Sequence, residues 1–247
     1  MNGYSSRIKH IPGLHSQLVA PEGFCKASLG IDPSQPWLAA PNPGYEDGMT
    51  GMRHLCVYCG SGPGRSPVYL AAARRLGTLM AASGVGLVYG GGSLGLMGEL
   101  ARAVLNGGGH VIGVIPEFLV QREQMLTEVN ELVVTANMHE RKMTMFERSD
   151  GFAALPGGIG TLEELVEIST WAQLDRHSKP IILCNIEKYW TPLLTLFDHM
   201  RREKFIRAGL EVKFEVVERV EDVIPAFDYR LSITQGKVPV EPIRKTL

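Results

Sequence analysis

Phe152-Ala153-Ala154-Leu155-Pro156-Gly157-Gly158-Ile159-Gly160-Thr161-Leu162-Glu163-Glu164 is the stretch from which the rest of this chain can be read. Four apolar residues in a row give a strand buried on both faces. Pro156 closes it, because proline has no N–H to give a sheet. Glycines then free the backbone, and a helix begins with an acidic first turn. Strand, glycine turn and helix in that order form the repeating unit of a parallel α/β sheet. A helix start carries unpaired N–H groups and roughly half a positive charge, so the turn suits a phosphate monoester. No G-K-[ST] lysine follows, which excludes a Walker-type loop.

The same alternation extends both ways. Apolar runs at His54–Cys59, Val85–Tyr89, Val111–Ile115, Leu132–Thr135, Pro180–Cys184 and Phe214–Val217 read as further strands. Helices are predicted over Ser66–Ser83, from the second glycine turn to Asn106, over Met138–Arg148, on to Leu174, over Tyr189–Arg202 and from Glu221. Glu117–Asn130 reads as a polar connection. The expected fold is α/β, a Rossmann-like doubly wound parallel sheet with helices on both faces. It is expected as a single domain over 52–229, with an irregular Pro/Gly-rich extension over 1–51 and a polar tail over 230–247. The extension holds six of the fifteen prolines and shows no sustained period. Ligands of such sheets bind beyond the carboxyl ends of the strands.

Composition narrows the function classes. The net charge of −1 gives no global attraction for a nucleic acid polymer or an anionic membrane, so any anion site must be local. No apolar run approaches the roughly 20 residues that span a bilayer. The start lacks the charged, apolar and small-residue pattern of a secretory signal, so a cytoplasmic location is expected. Four cysteines are too few for a disulfide scaffold. Cys56-Val57-Tyr58-Cys59 matches C-x-x-C but lies in a strand pattern, where residues three apart face opposite ways. No metal-ligand spacing is visible.

A second glycine turn, Gly90-Gly91-Gly92-Ser93-Leu94-Gly95-Leu96-Met97-Gly98, also joins a strand to a helix. Gly90, Gly92 and Gly95 satisfy G-x-G-x-x-G, the dinucleotide fingerprint, with Glu117 about 20 residues on. The turn follows the second strand rather than the first, and Glu117 sits after a proline. Gly60, Ser61, Gly91, Gly92, Gly95 and Met97 are candidates for a substrate or phosphate loop.

Met138-His139-Glu140-Arg141-Lys142 opens the helix after the fourth strand, with Asn137 and Glu140 able to cap it. Arg141 can fork two oxygens of a phosphate or carboxylate. The helix begins at the same sheet edge as Pro156–Glu164, so Arg141 and Glu164 are expected to face one pocket. Two plainer readings stand beside this one. Thr161-x-x-Glu164 fits a capping box, and Arg141 with Glu164 fits a surface ion pair. Glu123 lies in a long loop at the same end, where functional residues gather.

Pro156-Gly157-Gly158-x-Gly160-Thr161-x-x-Glu164 together with Met138-His139-Glu140-Arg141-Lys142 resembles the Lonely Guy family of cytokinin riboside 5′-monophosphate phosphoribohydrolases. Val57-Tyr58-Cys59-Gly60-Ser61, Tyr89-Gly90-Gly91-Gly92, Gly95-Leu96-Met97-Gly98 and Thr170-Trp171-Ala172-Gln173-Leu174 match as well, and the similarity spans about residues 53–225. The resemblance implies an N-glycosyl hydrolase that splits a nucleoside 5′-monophosphate into base and ribose 5-phosphate. It implies that Arg141 and Glu164 are catalytic. It places substrate contacts at Glu123, Arg141, Lys142, Gly158, Ile159, Gly160, Thr161, Leu162, Glu163, Glu164 and Thr170. It implies a homodimer or larger homo-oligomer. Some family members act on AMP, and some carry a lysine decarboxylase label. No lysine here has a pyridoxal-phosphate signature, and the chemistry needs neither cofactor nor metal.

Two rival functions share the glycines: a nucleotide- or dinucleotide-binding module without hydrolase activity, and a carrier for a phosphorylated cofactor. Neither requires Arg141 and Glu164 together.

Overall fold

The computed structural model describes residues 51–120 and 125–236. The chain divides into two compact units, Met1–Gly48 and Met49–Leu247, and all described residues belong to the second. The expected extension over 1–51 therefore lies almost wholly outside the described residues, as do Glu123 and the end of the expected tail.

Seven strands form one sheet: β1 (Arg53–Tyr58), β2 (Val85–Tyr89), β3 (Val111–Pro116), β4 (Glu131–Thr135), β5 (Gly151–Ala154), β6 (Ile181–Cys184) and β7 (Phe214–Val217). Their order is β4-β3-β2-β1-β5-β6-β7, and every neighbouring pair is parallel. The chain thus winds outward from β1 to β4, then returns to place β5 on the other side of β1. The winding reverses between β1 and β5, and that split is where ligands bind in such folds.

Helices α1 (Pro67–Ala82), α2 (Gly95–Asn106), α3 (Glu117–Val120), α4 (Met138–Glu147), α5 (Ile159–Gln173), α6 (Thr191–Arg202) and α7 (Val223–Thr234) complete the unit. Strand side chains alternate between two cores. Leu55, Val57 and Cys59 join one with Leu76 of α1, Leu100 of α2 and Phe227 of α7. Cys56 and Tyr58 join the other with Met145 of α4 and Leu165 and Ile168 of α5. The two cysteines of C-x-x-C therefore face opposite sides of the sheet, as the strand pattern requires.

Four local features differ from the sequence reading. Pro116 does not stop β3 short; it pairs with Thr135 as the last rung, where no further N–H is needed. The connection after it begins with the one-turn α3 and returns at Met125, which bridges Gly92. Helix α6 starts at Thr191 rather than Tyr189, with Pro192 in its first turn. Helix α7 runs on through Thr234, because Val223, Ile224, Phe227 and Leu231 keep one face buried past Tyr229.

Helix α1 packs on α2 at Gly77. A Cβ there would lie 2.5 Å from Leu100 O and 2.7 Å from Ala103 Cβ. Glycine to alanine in a helix normally stabilises by about 1 kcal/mol. Gly77→Ala is expected to reverse that sign and destabilise by about 1–3 kcal/mol through overpacking. Urea unfolding checks it, and a more stable variant would contradict the packing described.

Candidate active site

The tips of β1 and β5 are zipped together beyond the strands. Leu155 N donates to Tyr58 O at 3.0 Å, and Gly60 N donates to Pro156 O at 3.1 Å. A side chain at Gly60 would meet Gly157 Cα at 3.4 Å, so both turns come within van der Waals contact at the split. Gly60 O then accepts from Leu96 N at 3.1 Å and Met97 N at 3.4 Å, two first-turn amides of α2. Gly95 has φ +57°, and a Cβ on it would sit 2.3 Å from Ser61 O. The glycine turn at 90–98 is thus engaged by the protein itself. Gly91 O accepts from Leu126 N at 3.0 Å, and Met97 is buried. A pyrophosphate would find the α2 start already occupied, which removes the physical basis of the dinucleotide fingerprint.

Arg141 is buried on α4, one turn before the core residue Met145. Asn137 caps that helix, with its side chain accepting from Glu140 N at 2.9 Å, and Glu140 accepts from Ala136 N at 2.9 Å. This anchors the first turn and turns Arg141 into the protein. Arg141 Nε donates to Val114 O at 3.1 Å, and Nη2 reaches Gly90 O at 3.5 Å. Nη1 lies 3.3 Å from Glu164 Oε1. The two side chains are 8% and 11% exposed, so this is a buried pair and not a surface one. Around it, burial first and the Glu164 charge second push the thiols of Cys56 and Cys59 upward, which leaves them neutral and poor nucleophiles.

Helix α5 starts earlier than a capping box would need. Its N-cap is Gly158, which offers no side-chain acceptor, and Leu162 N bonds back to Gly158 O at 3.0 Å. Thr161 is therefore inside the first turn, with its side chain against Gly157; a Cβ there would be 2.1 Å from Thr161 Oγ1. The carboxylate of Glu164 goes to Arg141. Gly158 and Gly160 differ from the other glycines of the site. Neither has a positive φ, and a Cβ on either would meet nothing within 4 Å. Neither conformation nor packing within the described residues demands glycine at these two places. A ligand lying on the backbone would.

The remaining expected residues are spread more widely. Lys142 Nζ bridges Glu163 at 2.8 Å and Glu167 at 3.0 Å, tying α4 to α5. Burial works against its charge, but the hydrogen bonds to the two carboxylates outweigh it and raise its pKa. Ile159 is largely exposed and Leu162 packs on the second core. Thr170 lies about 9 Å along α5 from Glu164, with its hydroxyl donating to Val166 O at 2.8 Å. Ser61 is exposed at the tip of the β1 turn, and Gly92 is buried against Met125. The sequence reading passed over Tyr189, whose hydroxyl donates to Gly157 O. Its signal was position: it follows the carboxyl end of β6, next to the split.

These features define a class: a Rossmann-like α/β protein with a buried carboxylate–guanidinium pair beside an uncapped helix start. Residues 97–227 match the profile of a family described as possible lysine decarboxylase. A cytokinin riboside 5′-monophosphate phosphoribohydrolase of Arabidopsis thaliana is 47% identical over 181 residues, covering 70% of this chain and 85% of that protein. A probable cytokinin riboside 5′-monophosphate phosphoribohydrolase of Oryza sativa subsp. japonica is 50% identical over 202 residues, covering 76% and 91%. The chain belongs to this family, the Lonely Guy proteins. Among solved structures, the Moco carrier protein of Chlamydomonas reinhardtii matches with a TM-score of 0.55 at 24% identity, over 74% of this chain and 99% of that one. The molybdenum cofactor binding protein of Rippkaea orientalis matches at 0.53 and 23%, over 72% and 96%. These two show a shared fold.

Removing one member of a buried ion pair strands the other. Arg141→Met is expected to cost about 3–5 kcal/mol, because Glu164 loses its buried counter-charge. Glu164→Gln leaves the permanent charge of Arg141 facing neutral oxygens only and is expected to cost a comparable amount. Chemical denaturation of both variants checks this, and losses under about 1 kcal/mol in both, as for an exposed pair, would contradict a buried pair.

Proposed function

We propose that this chain hydrolyses the N-glycosidic bond of nucleoside 5′-monophosphates, cytokinin riboside 5′-monophosphate and AMP among them, to free base and ribose 5-phosphate. The observation that carries the reading is the 3.3 Å approach of Arg141 to Glu164 beside the open start of α5. The names of the plant relatives support the same chemistry.

The 5′-phosphate lies on the α5 start, where the first-turn amides and helix dipole attract an anion and Gly158 and Gly160 let it come close. Glu164 is five residues beyond Ile159, about 7–8 Å along the axis, a distance a ribose spans. Breaking the C1′–N bond leaves positive charge on the sugar ring. The Glu164 carboxylate stabilises that charge and orients the water that attacks C1′. The bond electrons go to the departing base, and one proton of the attacking water ends on it. Arg141 holds Glu164 in place and offers positive charge to the base as it leaves; its guanidinium is too weak an acid to supply the proton. Grip on the remote phosphate positions the sugar and lowers the barrier of this step.

The reading includes a homodimer or larger homo-oligomer. Ile159 and Val166 on α5, Leu174 just past its end and Val134 on the edge strand β4 expose apolar side chains, which supports association with a second copy. It also includes a cytoplasmic location, supported by the free thiols Cys56, Cys59 and Cys184. Among the described residues no helix is long and apolar enough to cross a membrane.

Glu164→Gln is expected to slow base release from AMP by about 10³-fold or more. Adenosine, which lacks the phosphate, should turn over far more slowly than AMP in the unaltered protein. Free-base assay by chromatography checks both. Full activity in the variant rejects the role of Glu164, and equal rates for adenosine and AMP reject the phosphate site.

A further inference from the structure

The peptide between Gly157 and Gly158 has an unusual problem. In a trans peptide the C=O and N–H point opposite ways. Two glycines in succession put little steric resistance in the way of turning that plane over. The Gly158 amide leads into the helix start that accepts the anion, so a flip would replace a donor with a carbonyl oxygen at the edge of the site. Something has to hold the plane.

The preceding peptide is held by Gly60 N, which bonds Pro156 O at 3.1 Å. The Gly157 carbonyl is held from the β6 side by the Tyr189 hydroxyl, which donates to it. Tyr189 is placed with care by its own surroundings. It sits between β6 and α6 on a turn in which Glu187 and Lys188 both take left-handed conformations, at φ 49° and 60°. Side chains resist that region, and two in succession persist only where neighbours enforce them. Asn185 is the enforcer. Its amide donates to Val217 O at 2.7 Å, its side-chain oxygen accepts from Trp190 N at 2.7 Å, and its side-chain nitrogen donates to Thr191 Oγ1 at 3.2 Å. The Tyr189 ring is then wedged edge-on between Tyr69, at 5.8 Å, and Trp190, at 5.0 Å.

We propose that Tyr189 is a positioning residue for phosphate recognition: its hydroxyl locks the Gly157–Gly158 peptide so that the Gly158 N–H, and not a carbonyl, faces the anion. The inference rests on the phosphate site proposed above for the α5 start. It predicts that the hydroxyl matters for the phosphate-bearing half of the substrate and not for the base.

The test is calorimetric titration of the full chain with ribose 5-phosphate and, separately, with adenine, in the unaltered protein, Tyr189→Phe and Tyr189→Leu, with Tm measured for each. The expected result is ribose 5-phosphate binding weakened about fivefold to tenfold in both variants. Adenine binding and the Tm of Tyr189→Phe should stay as they were. Unchanged ribose 5-phosphate binding in Tyr189→Phe overturns the proposal, as does equal weakening of both ligands. So does a loss confined to Tyr189→Leu, which would assign the effect to ring packing. Base release from AMP by the unaltered protein, assayed alongside, separates this inference from the hydrolase reading. A protein that binds ribose 5-phosphate through Tyr189 but releases no base keeps the lock and rejects the hydrolysis. An active protein indifferent to the hydroxyl does the reverse. No ribose 5-phosphate binding at all in the unaltered protein rejects the lock, and base release from AMP then decides the hydrolysis on its own.

Discussion

Arg141 carries a permanent positive charge into a place nearly closed to water. Its guanidinium cannot shed a proton to escape the cost, so the fold has to surround it with oxygen. It does so from three directions: the Val114 carbonyl of β3, the Gly90 carbonyl after β2 and the Glu164 carboxylate of α5. Meeting that demand brings α4, the β2 turn and α5 to one spot. It also explains Gly90, where a Cβ would lie 2.4 Å from Arg141 Nη2. A glycine that reads as part of a nucleotide fingerprint makes room for an arginine.

The two glycine turns share a local grammar and divide the work. The turn at 90–98 is closed by the protein, since its helix amides reach Gly60 O and its glycines pack on Ser61 and Ile115. The turn at 157–160 is open where it matters, at Gly158 and Gly160, and braced where it must be, at Gly157 by Thr161 and Tyr189. One turn builds the floor of the split between β1 and β5. The other is left open, at the start of α5 where the phosphate is proposed to bind. Lys142 joins α4 to α5 through Glu163 and Glu167, so the helix that carries Glu164 is tied to the helix that carries its partner.

Most of the architecture was legible in the sequence because buried parallel strands are short apolar runs closed by glycine or proline. Val85–Tyr89 and Val111–Ile115 needed nothing more. Strand order was not legible: it depends on pairings such as Cys56 with Phe152, almost a hundred residues apart, which no local pattern encodes. The role of Glu164 was ambiguous for a similar reason. Thr161-x-x-Glu164 reads equally as a cap or as a site, and the helix starting at Ile159 decides between them. Tyr189 escaped notice because its turn uses Glu187 and Lys188 where sequence rules expect glycine or asparagine. Helix α7 was underestimated because Arg230 and Ser232 look like a polar tail, while Leu231 between them is buried.

The proposed phosphate site puts the anion on the start of α5 and not on the start of α2. Backbone amide chemical shifts, followed by NMR while ribose 5-phosphate is added to saturation, distinguish the two. The largest shifts are expected at Gly158, Ile159, Gly160 and Thr161, with Leu96 and Met97 little changed. Shifts centred on Leu96 and Met97, with the α5 start unmoved, would contradict it.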